Sequence, residues 1–103
     1  MPIEPGYSGQ VESDVENRID EPDRYKVLMH NDNYTTMDFV VDILCRVFHM
    51  PVDRATAIMM EVHTKGLATC GIYTKEIAEA RVNRVRAEAI KKNFPLKCTM
   101  EKI

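Results

Sequence analysis

The chain has no long apolar run. Nothing in its 103 residues approaches the roughly 20 consecutive apolar residues of a membrane-spanning helix. Its first residues lack the basic-then-apolar pattern of a secretory signal. Cysteine is scarce: there are three, an odd number, and no CxxC pair. That points to a reducing compartment, the cytoplasm, and away from a disulfide framework or a zinc ribbon. HxxxH and CxxH spacings are absent as well, so no metal is expected. Phosphate-binding and nucleophile motifs (the P-loop, GxGxxG, GxSxG) are missing, and no catalytic set is visible. No cofactor site is visible either, and a small thiol or metal enzyme stays only as an alternative that a metal assay and cysteine replacement would settle. No internal repeat occurs.

Net charge is also small, at -2, but it is unevenly spread. Residues 1–23 carry seven acids and one base, a net of -6, whereas residues 24–103 carry a net of +4. A body of +4 is too weakly basic to demand nucleic acid. The acidic segment holds three of the five prolines and two of the four glycines, with scattered apolar residues and no sustained period. It has too little to bury to offset the entropy of ordering, and reads as a flexible N-terminal extension. Residues 24–103 read as one domain, and a chain of about 80 residues buries roughly 60–65% of its unfolded surface. That supports one core and a shallow site.

Within the body the pattern is regular. Tyr25, Val27 and Met29 alternate with Lys26, Leu28 and His30, as in a strand. Asn31-Asp32-Asn33 then supplies turn chemistry. Thr35 or Thr36 can cap a helix whose Val40, Ile43, Leu44, Val47 and Phe48 share one face. Met50-Pro51 breaks it, and Pro51 suits the first turn of a second helix. That helix carries Ala55, Ile58, Met59, Val62 and His63, and Gly66 fits its stop. Leu67–Tyr73 reads as a second strand with Gly71 a bulge position. Thr74 caps a third helix lined by Ala78, Val82, Val85 and Ala89, ended by Asn93 and Pro95. Leu96, Cys98 and Met100 alternate in a last strand. The order β-α-α-β-α-β makes a small α+β domain with helices on one face of three strands.

Few residues stand out for chemistry. Cys45, Cys70 and Cys98 fit small buried hydrophobes better than nucleophiles. Asn31, Asp32 and Asn33 follow a strand end, where polar groups can project; alone they are an ordinary turn. Met59, Val62 and His63 are spaced i, i+3 and i+4, so they share a helix face and set an imidazole at the edge of an apolar patch. Met37 and Val40 form a matching pair on the first helix. Methionine lines adaptable pockets well, and it also fills cores.

These residues carry a resemblance. The stretch Tyr25-Lys-Val-Leu-Met-His-Asn-Asp-Asn-Tyr-Thr-Thr-Met-Asp-Phe-Val40 resembles the opening of ClpS, the adaptor of the Clp protease. It continues through Arg54-Ala-Thr, Met59-Met-Glu-Val-His63, Lys65-Gly66, Cys70-Gly71, Thr74-Lys-Glu and Pro95-Leu-Lys-Cys-Thr-Met-Glu-Lys102. The resemblance implies three antiparallel strands with three helices, and no enzyme activity. It implies binding of N-degron substrates, proteins whose free N-terminus begins with Leu, Phe, Tyr or Trp. These would pass to the N-terminal domain of a ClpA-type AAA+ unfoldase, which feeds ClpP. By the same resemblance, Asn31, Asp32, Asn33 and His63 contact the α-amino group. Thr35, Met37, Val40, Met59, Val62 and Leu96 form the side-chain pocket, and Glu76 and Arg81 contact the unfoldase. A monomer is expected, with no nucleic-acid or membrane partner, and the acidic extension becomes a delivery segment. The alternative is a structural protein–protein module of the same fold, like that of the ribosomal stalk protein, without an N-terminus pocket.

One departure from the family pattern has a measurable consequence. Asn33 stands where many members have Asp, which keeps an acceptor and removes a charge. The bond from an ammonium is charge-assisted with either residue, but a carboxylate adds a direct charge–charge attraction of about 1 kcal/mol at a water-exposed contact. Asn33→Asp should therefore tighten binding of a Leu-initiated peptide roughly fivefold in a calorimetric titration. Unchanged or weaker binding removes Asn33 from the contact set.

Overall fold

A computed structural model describes residues 22–103 of the chain. Residues 1–21 of the acidic extension lie outside the described residues. The elements are β1 (Arg24–His30), α1 (Met37–Val47), α2 (Val52–Lys65), β2 (Leu67–Thr74), α3 (Lys75–Lys91) and β3 (Lys97–Lys102). This is the β-α-α-β-α-β order that the residue pattern predicts. The sheet runs β2-β1-β3, and both pairings are antiparallel.

Burial explains why β1 is central. Val27 and Met29 are fully buried on its helix-facing side. They pack into a core with Ile43, Leu44 and Val47 of α1, Ala55, Met59 and Val62 of α2, and Val82 and Val85 of α3. Ala78 and Ala89 are also fully or almost fully buried, and such small side chains let α3 lie close to the sheet. Phe94 packs on Phe39 with the rings tilted by 57° and their centroids 5.0 Å apart, closing the end of α3 against α1. On the protein surface Arg46 of α1 donates to both carboxylate oxygens of Glu88 on α3, at 3.0 and 2.7 Å. Such an exposed pair adds little stability.

The connections are short and each has a local cause. Thr36 caps α1, its hydroxyl accepting from the Phe39 N–H at 3.2 Å. Helix α1 stops before the expected Met50-Pro51 break, and His49 takes a left-handed conformation with φ 58°. Pro51 is the cap residue of α2 and not its first helical residue, because its ψ of 156° is extended. Thr74 does precede α3, but its side chain makes no capping bond. The strand runs into the helix with no loop between them, so the threonine is held as a strand residue.

Two glycines sit at constrained positions. Gly66 has φ 93° and donates its N–H to the Val62 carbonyl, which stops α2 and starts β2 in one residue. The bulge expected at Gly71 falls on its neighbour: Val27 faces Gly71 and Leu28 faces Thr69, so Cys70 has no partner. A Cβ on Gly71 would collide with the Tyr73 ring.

The positive φ at Gly66 leads to a direct test. An added Cβ there meets no atom within 4 Å, so only backbone strain opposes it. Gly66→Ala should cost about 1–2 kcal/mol, read as a lower urea midpoint at unchanged slope. An unchanged midpoint means the glycine conformation is not needed.

Candidate functional site

The site begins where β1 ends. The Asn31 N–H donates to the Gly66 carbonyl at 2.9 Å, which pins the end of β1 to the end of α2. The next residue organises the loop. Asp32 Oδ1 accepts from the Tyr34 N–H at 2.8 Å and the Thr35 N–H at 2.7 Å. Its Oδ2 accepts from the Thr35 hydroxyl at 2.7 Å. Burial pushes this carboxyl up, but the Thr35 and Tyr34 bonds outweigh it and hold it below the ordinary carboxylate range. Asp32 is thus ionised and fixed in orientation before any ligand arrives.

Beside this loop lies a cavity of about 230 Å³ lined by Asn31, Asp32, Asn33, Thr35, Met37, Val40, Met59, Val62 and His63. Val40, Met59 and Val62 are buried and present an apolar floor. Asn31, Asn33 and His63 are exposed on the rim. Met37, 45% exposed, stands at the mouth. Two walls come from separate parts of the chain: the β1–α1 connection with the first turn of α1, and one face of α2. The i, i+3, i+4 spacing of Met59, Val62 and His63 places all three on that face.

The structure therefore brings together nine of the twelve residues singled out in the sequence. Leu96 belongs to the buried core, 6% exposed, and is not among the lining residues. Glu76 and Arg81 sit on α3, outside the cavity. Five residues apart, they point about 140° from each other around the helix axis. The Arg81 guanidinium lies over the Tyr73 ring, 5.4 Å from its centroid. Two features escaped the sequence reading. Gly66 supplies a carbonyl to the loop, although its type signals only a helix stop. Tyr34, 76% exposed, stands on the loop with no local pattern to mark it.

Other chemistry finds no support in the same residues. Among the described residues no group of three histidine, cysteine or acidic side chains could hold a metal. Burial pushes the Cys98 thiol up to about 12 and the Cys70 thiol higher still, so neither is a nucleophile at neutral pH. Cys45 is half-buried. His30 bonds Thr99 at 2.9 Å on the other side of the sheet from the core. No helix among the described residues is long and apolar enough to cross a membrane.

Comparison with known proteins adds to this geometry. Residues 20–99 match the family described as ATP-dependent Clp protease adaptor protein ClpS. The chain is 49% identical over 89 residues to the adapter protein ClpS of Nitratidesulfovibrio vulgaris (strain DSM 19637 / Miyazaki F), covering 86% of this chain and 89% of that one. It is 45% identical over 102 residues to the ClpS of Lawsonia intracellularis, covering 99% and 92%. Among solved structures it resembles Agrobacterium tumefaciens ClpS2 bound to L-phenylalaninamide, with a TM-score of 0.78 and 34% identity. That match covers 81% of this chain and 100% of the other.

The bonding of Asp32 has a pH signature. Its folded pKa lies below the unfolded value, so its contribution is complete above about pH 3.9 and fades as pH falls through the folded pKa. Asp32→Asn should lower stability by about 1 kcal/mol at neutral pH. In denaturant titrations the gap from wild type should close as pH drops below about 3.9. A gap that persists in acid contradicts the assignment.

Proposed function

The chain belongs to the ClpS family of Clp protease adaptors, and from that premise we propose that it captures proteins by a free N-terminus with a bulky apolar first residue. The captured protein passes to a ClpA-type AAA+ unfoldase for degradation by ClpP, in the cytoplasm, with the adaptor acting as a monomer. The family is one of adaptors, so the chain acts by binding and not by catalysis.

The observation that carries this reading is the pairing of an apolar floor with a rim of acceptors in one small cavity. A free α-amino group is an ammonium with a pKa of about 8 and needs acceptors. The side-chain carbonyls of Asn31 and Asn33 and a neutral His63 imidazole can accept its protons. Asp32, already holding three donors, contributes its negative charge and the loop's shape. The first side chain enters between Thr35, Met37, Val40, Met59 and Val62, with Leu96 acting from the core behind them. About 230 Å³ is less than the roughly 300–1,000 Å³ of drug-sized sites, and suits one side chain. The ligand of the Agrobacterium relative, a phenylalanine amide, has both an α-amino group and a large apolar side chain.

Magnitudes support the conjunction. A charge-assisted hydrogen bond is worth roughly 1.5–3 kcal/mol, and burying a Leu or Phe side chain about 1.5–3 kcal/mol. Micromolar affinity requires about 8 kcal/mol. The floor alone falls well short, and the rim alone reaches it only if all three bonds are at their strongest. Both together reach it when the site is preorganised, as the bonds to Asp32 and from Asn31 favour. Glu76 and Arg81 are the residues we assign to the unfoldase, and residues 1–23 to delivery.

The test is a titration with peptides beginning in Leu, Phe, Val and Met, each with a free or an acetylated α-amino group. Free Leu and Phe peptides should bind in the micromolar range or tighter. Acetylation should weaken them at least 10²-fold, the loss of about 3 kcal/mol of charge-assisted bonding. Binding that ignores acetylation refutes the reading.

A further inference from the structure

The three helices all pack on one face of the sheet, and among the described residues no element covers the other. Cross-strand register identifies what that open face carries. Its rows are Arg24 with Thr74, Lys26 with Ile72 and Glu101, Leu28 with Thr69 and Thr99, and His30 with Leu67 and Lys97. Ile72 is 50% exposed and Leu67 43% exposed, so apolar surface lies open between basic side chains. Leu28 is buried yet stands outside the core cluster, on this same face. At the end of the face a groove of about 310 Å³ is lined by Pro22, Arg24, Ile72, Tyr73 and Thr74. This is the point where residue 21 joins the domain.

We propose that this open sheet face is the docking surface for the chain's own residues 1–21. Three observations favour that occupant over any other. The segment joins the domain at the groove itself, through Pro22. Its charge is complementary: residues 1–21 hold six acids and one base, while the face holds Arg24, Lys26 and Lys97 against one acid, Glu101. Its sequence also offers a matching apolar edge. Val11, Val15 and Ile19 recur every fourth residue among acids, a run too short to count as a sustained period but enough to present one apolar side. Length is no obstacle. β1 has seven residues and is roughly 23 Å long, and 21 residues can run back along it in any extended or helical form. Tethering helps as well, because a segment joined at the groove docks at a high effective concentration.

The docked segment would neutralise the face and hide Leu67 and Ile72. It would also keep the segment stowed at one end of the domain until something competes for it. None of this depends on what the cavity binds.

The experiment uses the full isotope-labelled chain and compares amide resonances of wild type with a Val11→Lys, Val15→Lys, Ile19→Lys variant, which removes the apolar side and the charge complementarity together. The amides of Leu67, Thr69, Ile72 and Thr99 should move by more than a linewidth, while those of the buried helix residues Ile43 and Val85 stay in place. Raising salt to about 1 M should move the same wild-type amides in the same direction, because exposed charge pairs are screened. The reciprocal variant Ile72→Glu, which removes the apolar contact and repels the acidic segment, should make residues 11–19 exchange their amide protons at the rate of an unstructured chain. Open-face amides that ignore both the variant and salt overturn the proposal. Open-face amides that shift with protein concentration also overturn it, and assign the face to a second copy of the chain.

Discussion

One hydrogen bond sets the geometry of the recognition site. The Asn31 N–H donates to the Gly66 carbonyl, and so joins the end of the first strand to the end of the second helix. It continues the pairing of His30 with Leu67 by one step beyond the sheet. Because Gly66 takes a left-handed φ, its carbonyl is available at that point and the chain can leave the helix directly for a strand. The polar loop of residues 31–36 is thereby held beside the Met59, Val62 and His63 face of α2. Without that link the two walls of the cavity would share only the core behind them.

A second constraint acts within the loop. Asp32 uses its carboxylate on its own neighbours, accepting from two backbone amides and one hydroxyl. These three bonds fix the course of the loop, each contributing about 0.5–1.5 kcal/mol or somewhat more because the acceptor is charged. They leave the exposed side chains of Asn31, Asn33 and His63 as the groups free to meet a ligand. If those side chains receive the ligand, as proposed above, the loop divides its groups between shaping the site and binding, which a shallow site on a small domain needs. Such a domain has little buried volume in which to anchor functional side chains indirectly.

Much of this was legible in the sequence. Strand alternation at Tyr25–Met29 and helical spacing at Val40–Phe48 and Ala78–Ala89 are strong because burial on one side leaves a period. The cavity residues were legible for a mixed reason. The shared face of Met59, Val62 and His63 follows from spacing, but its meeting with Asn31 and Met37 came from resemblance to a family and not from any local pattern. What stayed hidden was of a different kind. The unpartnered Cys70, the cap position of Pro51 and the silent Thr74 depend on how strand and helix ends fit together in space. Leu28 shows the same limit: it sits on the polar side of its strand's alternation and is nonetheless buried.

The single-residue passage from α2 to β2 bears on time as well as shape. A helix that becomes a strand through Gly66 alone has no slack with which to swing, and the loop opposite is tied down at Asn31 and Asp32. The apolar part of the cavity wall with most freedom is the side chain of Met37, unbranched and 45% exposed where Val40, Met59 and Val62 are buried. Exposed side chains change rotamer in picoseconds to nanoseconds, far faster than hinged domains close. Entry and exit at such a mouth are then timed by the contacts a ligand makes and breaks, with no slow closure to trap it. In the proposed reading, residence follows the strength of those contacts, which lets an adaptor let go of what it carries.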